Sequence, residues 1–232
     1  MSHIHLPDGF LPPWLWVSGY VITVLLLMAL WWHGKATADP RKFSLMGAMG
    51  AIMILIAMIE IPPFEYHANL SVVTGIILGP QLFVLTAFVV NIILALIGHG
   101  GLTVIGLNTL VLSTEAIIGC YAFRLLTSSG LSVGRSTFIA TIAGLASGTF
   151  VTFGIIAAGS SWINHVLGSA ALGPGMELPP GVTGAHLNLK RLAIIMFAVG
   201  SIGWVGEAIL SSAIIGHLTR LIPSMVKAED DA

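Results

Sequence analysis

Residues 14–32 contain no charged residue and no histidine, and tryptophans bound them at both ends, Trp14 and Trp16 at one and Trp31 and Trp32 at the other. An apolar run of about 20 residues spans about 30 Å of hydrocarbon as a helix. Tryptophan at both ends is the pattern of an interfacial aromatic belt. Further apolar runs cover residues 43–61, closed by Pro62-Pro63, and residues 102–126, 138–158 and 192–222. Residues 68–97 are too long for one pass and short for two. Gly79-Pro80 divides them, because proline breaks a helix interior. Composition agrees with this pattern. Charged residues are 8% of the 232 and the mean hydropathy is +0.98, against about 25% charged in a soluble domain. So few charges cannot cover the surface of a soluble fold; in a bilayer, lipid covers it. The expected fold class is an all-α integral membrane protein, a bundle of six to seven transmembrane helices.

No internal repeat or linker divides the chain, so residues 1–232 read as one domain. Residues 160–189, with Gly173-Pro174 and Pro179-Pro180, read as a long loop, and the acidic tail after Lys227 as frayed. The opening residues carry neither a basic n-region nor a small-residue cleavage site, so no cleavable signal peptide is expected. Cys120 is the single cysteine, which excludes a disulfide framework and a paired-cysteine metal site. A net charge of −1 offers no basic field for nucleic acid.

Basic residues favour the cytoplasmic side. Lys35, Arg41 and Lys42 follow the first helix, which puts the N-terminus outside. If residues 68–97 make two short passes, Arg124, Arg135, Arg220 and Lys227 also fall inside and only Lys190 and Arg191 outside, a division of seven to two. One pass there gives five to four. Seven passes are therefore expected, with the third short and buried in protein. The N-terminus, residues 62–68, His99, His165 and His186 then share the outer face.

Histidine is the commonest metal-ligating side chain. In Met1-Ser2-His3-Ile4-His5, a free α-amine, one or two backbone amides and an imidazole can close fused chelate rings on one ion. Such nitrogen sets suit Ni(II) or Cu(II). With Met1 kept, the terminus alone supplies four nitrogens. With Met1 removed, Ser2 carries the amine, three nitrogens remain, and His67 on the same face could be the fourth donor. The alternative is that His3 and His5 form an exposed polar tail, although residues 6–13, with Pro7-Asp8-Gly9 and Pro12-Pro13, would fix its path. His67 lies between Glu65 and Asn69, which offer hydrogen bonds that orient a ligand. His99, in Gly98-His99-Gly100-Gly101, reads either as a relay ligand or as a residue that holds its loop, with Asn108 shortly after. The glycines there are expected to allow close backbone approach. Glu60 reads as interfacial. Glu115 and Glu207 lie deeper, where an acid must be protonated or paired. No HExxH or Walker A pattern is present, so nucleotide hydrolysis by this chain is not expected.

Three stretches resemble the CbiM/NikM family, the substrate-specific membrane components of nickel and cobalt energy-coupling factor (ECF) transporters. They are His5-Leu6-Pro7-Asp8-Gly9-Phe10-Leu11, residues 62–80 with His67 and Leu78-Gly79-Pro80, and Gly98-His99-Gly100-Gly101-Leu102-Thr103 through Asn108. The third is the most specific. The resemblance implies a metal site of Met1 or Ser2, His3 and His67, with His5, Glu65, Asn69, His99 and Asn108 as further or supporting candidates. Family members commonly open Met-His, so alignment on Pro-Asp-Gly favours His5, whereas closeness to the free amine favours His3. It also implies a metal-binding segment at residues 1–13, a cytoplasmic tail at 223–232, and a location in a prokaryotic cytoplasmic membrane. The implied activity is capture and import of Ni²⁺ or Co²⁺, with no cofactor and no catalysis by this chain. The implied partners are a transmembrane coupling (T) component, cytoplasmic ATPases and a small accessory membrane subunit. A stand-alone channel or secondary transporter, or a membrane metalloenzyme, are the alternatives.

Overall fold

A computed structural model describes residues 8–33, 40–59, 67–168, 182–183 and 186–222. These form seven helices, four of them long and apolar enough to cross a membrane. The chain is an all-α membrane protein; its strands are two residues each.

Helix α1, Pro13–His33, starts on a proline, whose missing N–H costs nothing at a first helical position. Val17, Val21, Val24, Leu25 and Met28 face outward, while Leu15, Gly19 and Thr23 form a buried stripe at four-residue spacing. Such a stripe is one helix face. Helix α2, Pro40–Ala57, buries Met46, Met49, Gly50 and Met53. It ends four residues before the expected residue 61, on the turn bonds Met58 N–H to Ile54 O and Ile59 N–H to Ile56 O.

The division at Gly79-Pro80 is present. Helix α3, Ser71–Leu78, has eight residues, about 12 Å at 1.5 Å each, so it cannot span hydrocarbon alone. Most of it is buried, Val72 and Val73 completely, in line with the expectation of a short segment buried in protein. Gly79 turns the chain at φ +80°, open to glycine at little steric cost, and Pro80 begins α4, Pro80–Leu96.

A single 3₁₀ turn, Leu102–Val104, leads into α5, Ile105–Ser128. This helix is central: α1, α3, α4 and α6 all pack on it. Its glycines make the close approaches. A Cβ on Gly106 would lie 2.6 Å from the Tyr20 backbone nitrogen, and one on Gly119 would lie 2.6 Å from Val72.

Helix α6, Val133–Gly168, runs 36 residues, about 54 Å. It therefore overruns both ends of the expected residues 138–158, and the expected loop from residue 160 begins as helix. The cause is packing: Ile163 and Leu167 are buried beside Leu187 and Leu192, and a polar pair, Ser160-Ser161, does not end a helix that keeps its apolar face. Strands β1, Val182–Thr183, and β2, His186–Leu187, form an antiparallel hairpin. The Leu187 N–H donates to Asn164 Oδ1 of α6 at 2.6 Å. Helix α7, Leu189–Leu221, opens with the Asn188 side chain accepting from Arg191 N–H and contains a π-helical stretch, Ile195–Val199. Phe197 in that stretch meets Phe150, Phe153 and Trp204.

Candidate metal centre

Two of the sequence-derived candidates meet. The rings of His67 and His99 lie edge to face with centroids 5.2 Å apart and planes at 82°. His67 is 9% exposed, just before α3. His99 follows α4, its N–H bonded to Leu94 O. Gly98, at φ +84°, turns the chain into it, and a Cβ there would meet nothing within 4 Å. That glycine serves backbone conformation, not the close approach expected of it. An imidazole nitrogen binds a transition metal at about 2.0–2.1 Å. Two rings sharing one ion at a tetrahedral angle would then have centroids about 5 Å apart, so this spacing is one that a single ion fits.

The N-terminal segment is fastened to the same place. Asp8 Oδ1 accepts from the Thr103 N–H at 2.8 Å and from Thr103 Oγ1 at 2.7 Å, and Oδ2 accepts from the Leu102 N–H at 3.1 Å. Burial raises the Asp8 carboxyl pKa, but the Thr103 hydroxyl and the two amides outweigh it and hold the pKa below the ordinary value. Tyr20 donates to the Leu102 carbonyl from α1. Phe10 and Leu11, each 2% exposed, lock the segment into the cluster with Val104, Leu107 and Ile163. Thr103 lies four positions after His99.

Nothing in the spacing marks Asp8 as the partner of a residue 95 positions away. The available signal is that the two most distinctive motifs, Pro-Asp-Gly and Gly-Gly-Leu-Thr, each lack a partner of their own. Met1, Ser2, His3, His5, Glu60 and Glu65 lie outside the described residues. Asn108 is half-buried on the first turn of α5. Among the described residues no group of three or more His, Cys, Asp or Glu side chains could hold an ion.

Asn69 ties the corner after His67 to α5 and α3. Its Nδ2 donates to Glu115 Oε2 at 2.9 Å, and its Oδ1 accepts from the Ser71 N–H at 2.7 Å. Glu115, on α5, also accepts from Ser71 Oγ at 2.7 Å. Glu207, on α7, accepts from the Leu70 N–H at 2.9 Å and the Asn69 N–H at 3.3 Å. The deep acids are therefore paired by hydrogen bonds, and both close on the corner that follows His67. Cys120 is a buried free thiol.

Residues 5–225 match the family model described as the cobalt uptake substrate-specific transmembrane region, CbiM. The chain belongs to the CbiM family. In Haloquadratum walsbyi, a CbiM protein provisionally assigned to cobalt transport is 25% identical over 229 residues, 94% of each chain. A protein of Methanocorpusculum labreanum, likewise provisionally assigned as a fused cobalt transport protein CbiMQ, is 27% identical over 129 residues, 53% of this chain and 21% of its own. The fold is that of a crystal structure of a truncated transition metal transporter, at a TM-score of 0.75 with 20% identity, covering 94% of this chain and 99% of that one. This CbiM-family chain is thus a membrane component of cobalt uptake, a transport and not an enzyme family, and the resemblance read from its motifs holds across nearly its whole length.

Proposed function

We propose that the chain is the substrate-capture subunit of an ATP-driven importer of the energy-coupling factor type, and that it takes Co²⁺ or Ni²⁺ at the outer face of a prokaryotic cytoplasmic membrane. His67 and a nitrogen set from Met1 or Ser2 and His3 would ligate the ion. His99 belongs to the same centre, as a donor or as the neighbour that sets the His67 ring. One observation carries this reading: two histidines stand 5.2 Å apart beside the turn to which Asp8 ties the N-terminal segment. A nitrogen-rich site suits late first-row metals over Mg²⁺ or Ca²⁺. Since copper binds such sites more tightly than either cargo, selectivity in the cell rests on geometry and metal supply.

The partners would be a transmembrane coupling protein, cytoplasmic ATPases and a small accessory subunit. The fused relative supports the presence of a second transport chain. The absence of any Walker A sequence supports leaving ATP hydrolysis to others. The positive-inside division supports an N-terminus on the outer side. The test is accumulation of radioactive Co²⁺ by cells making the chain alone, with the partner set, or with partners whose ATPase is inactivated. Uptake only with active partners supports the proposal. Full uptake by the chain alone would instead identify a channel or secondary transporter. Neighbouring genes discriminate the cargo: cobalamin biosynthesis goes with cobalt, and urease or hydrogenase with nickel.

A further inference from the structure

The polypeptide corner after His67 is held by two acids from helices far along the chain. Leu70, at φ +52°, is in the left-handed region that a branched, bulky residue enters only when its surroundings enforce it. Leu70 is 2% exposed, so its side chain is committed to the core while its backbone is turned the unfavourable way. The peptide N–H groups of Asn69 and Leu70 both point at the Glu207 carboxylate, one on each oxygen. At a helix start such N–H groups have no partner within the helix. Glu207 therefore caps α3 from across the bundle, while Glu115 grips the Asn69 and Ser71 side chains. Glu115 is completely buried and Glu207 is 2% exposed.

We infer that Glu207, seconded by Glu115, is a positioning residue for metal capture: it sets the backbone two residues beyond His67 and so fixes where that imidazole stands relative to His99. The inference rests on His67 being a metal ligand. Its physical basis is that a ligating ring must be held to a fraction of an ångström by locked neighbours, and His67 lies in the non-helical residues 67–70 that precede α3. Asn69 and Leu70 are the first residues after it that are anchored to two other helices. The arrangement also makes α7 a mechanical extension of the site: a movement of α7 at Glu207 moves the His67 corner with it.

The experiment measures Co²⁺ affinity and the visible d–d spectrum of bound Co²⁺, which reports ligand geometry, on the purified full chain in detergent. The variants are Glu207→Gln, Glu207→Asp, Ser71→Ala and His67→Ala. Met53→Ala, a buried residue in a separate cluster, serves as a stability control. Glu207→Gln keeps one acceptor but turns an NH₂ toward a backbone N–H. It is expected to weaken binding at least tenfold and to shift the spectrum, with Glu207→Asp between it and the parent. Ser71→Ala, which removes one of the Glu115 contacts and leaves the corner folded, shifts both in the same direction by less. It carries the test if Glu207→Gln fails to fold. Unchanged spectra in Glu207→Gln and Ser71→Ala, with affinity falling only as far as stability falls in Met53→Ala, overturn the inference. Undiminished binding by His67→Ala overturns the ligand assignment beneath it, a separate result.

Discussion

Replacing Gly148 with alanine adds one carbon to α6 at its tightest crossing with α5. That Cβ would lie 2.2 Å from Glu115 Oε1, 2.4 Å from Cγ and 2.6 Å from Cδ. Ordinary contact begins near 3.4 Å, so the Glu115 side chain or α6 itself must move by about 1 Å, the shortfall against contacts between carbons at about 3.5–4.0 Å. Glu115 is not free to move. A shift of about 1 Å would stretch its 2.7 Å bond from Ser71 and its 2.9 Å bond from Asn69 out of hydrogen-bonding range, which ends near 3.2 Å. Overpacking costs about 1–3 kcal/mol, and each lost bond adds about 1 kcal/mol. The better helix propensity of alanine offsets about 1 kcal/mol. The net expectation is a loss of about 3 kcal/mol. Gly154→Ala is the internal reference. It lies on the same helix, and a Cβ there meets nothing within 4 Å, so it should gain up to about 1 kcal/mol. Reversible unfolding in mixed detergent micelles, followed by tryptophan fluorescence, measures both. Equal stability of the two variants would refute the reasoning, because it would mean that Glu115 is not pinned where the fold places it.

Gly106→Ala should be costlier to accommodate than Gly148→Ala, since its Cβ meets backbone on α1, at 2.6–2.8 Å; a separation of α1 from α5, read as lost protease protection of α1, checks this. Tyr20→Phe removes the bond to the Leu102 carbonyl and should cost about 1 kcal/mol in the same unfolding assay. The Asp8 contacts predict an acid effect. Its folded pKa lies below the ordinary 3.8, so its contribution is complete above that value and is lost as pH falls through the folded pKa. The Thr103 amide NMR signal should hold steady from pH 6 down to about 4 and move only below; a transition above pH 5 would contradict the assignment. Because Asp8 is exposed, solvent screening keeps the stability effect small.

The helices were legible where lipid imposes the rule. Apolar length gave α1, α4 and α5, and Gly79-Pro80 gave the break before α4, because proline's missing N–H acts locally. The extension of α6 to Gly168 was not legible. Its last turns are held by Phe10, Leu11 and Leu187, contacts that close over more than 150 residues in the first case. The deep acids announced themselves by type but not by partner: Glu207 finds the Leu70 amide 137 positions away, and no periodicity encodes that. His67 and His99 were each nameable from motif chemistry, whereas their adjacency needed the fold. Asp8 is the instructive case. Its motif was visible and its role was not, because two of its three partners are backbone amides, which leave no mark in side-chain identity, and the third is a hydroxyl 95 positions away.

The central claim is that one cobalt or nickel ion is held jointly by the N-terminal segment and His67. Equilibrium binding of Co²⁺ to the purified chain tests it most directly, compared among the parent, His3→Ala, His67→Ala and a form carrying one retained residue before Met1. The account predicts one ion per chain for the parent and no measurable binding in the other three. Parent-like affinity in all three would contradict it.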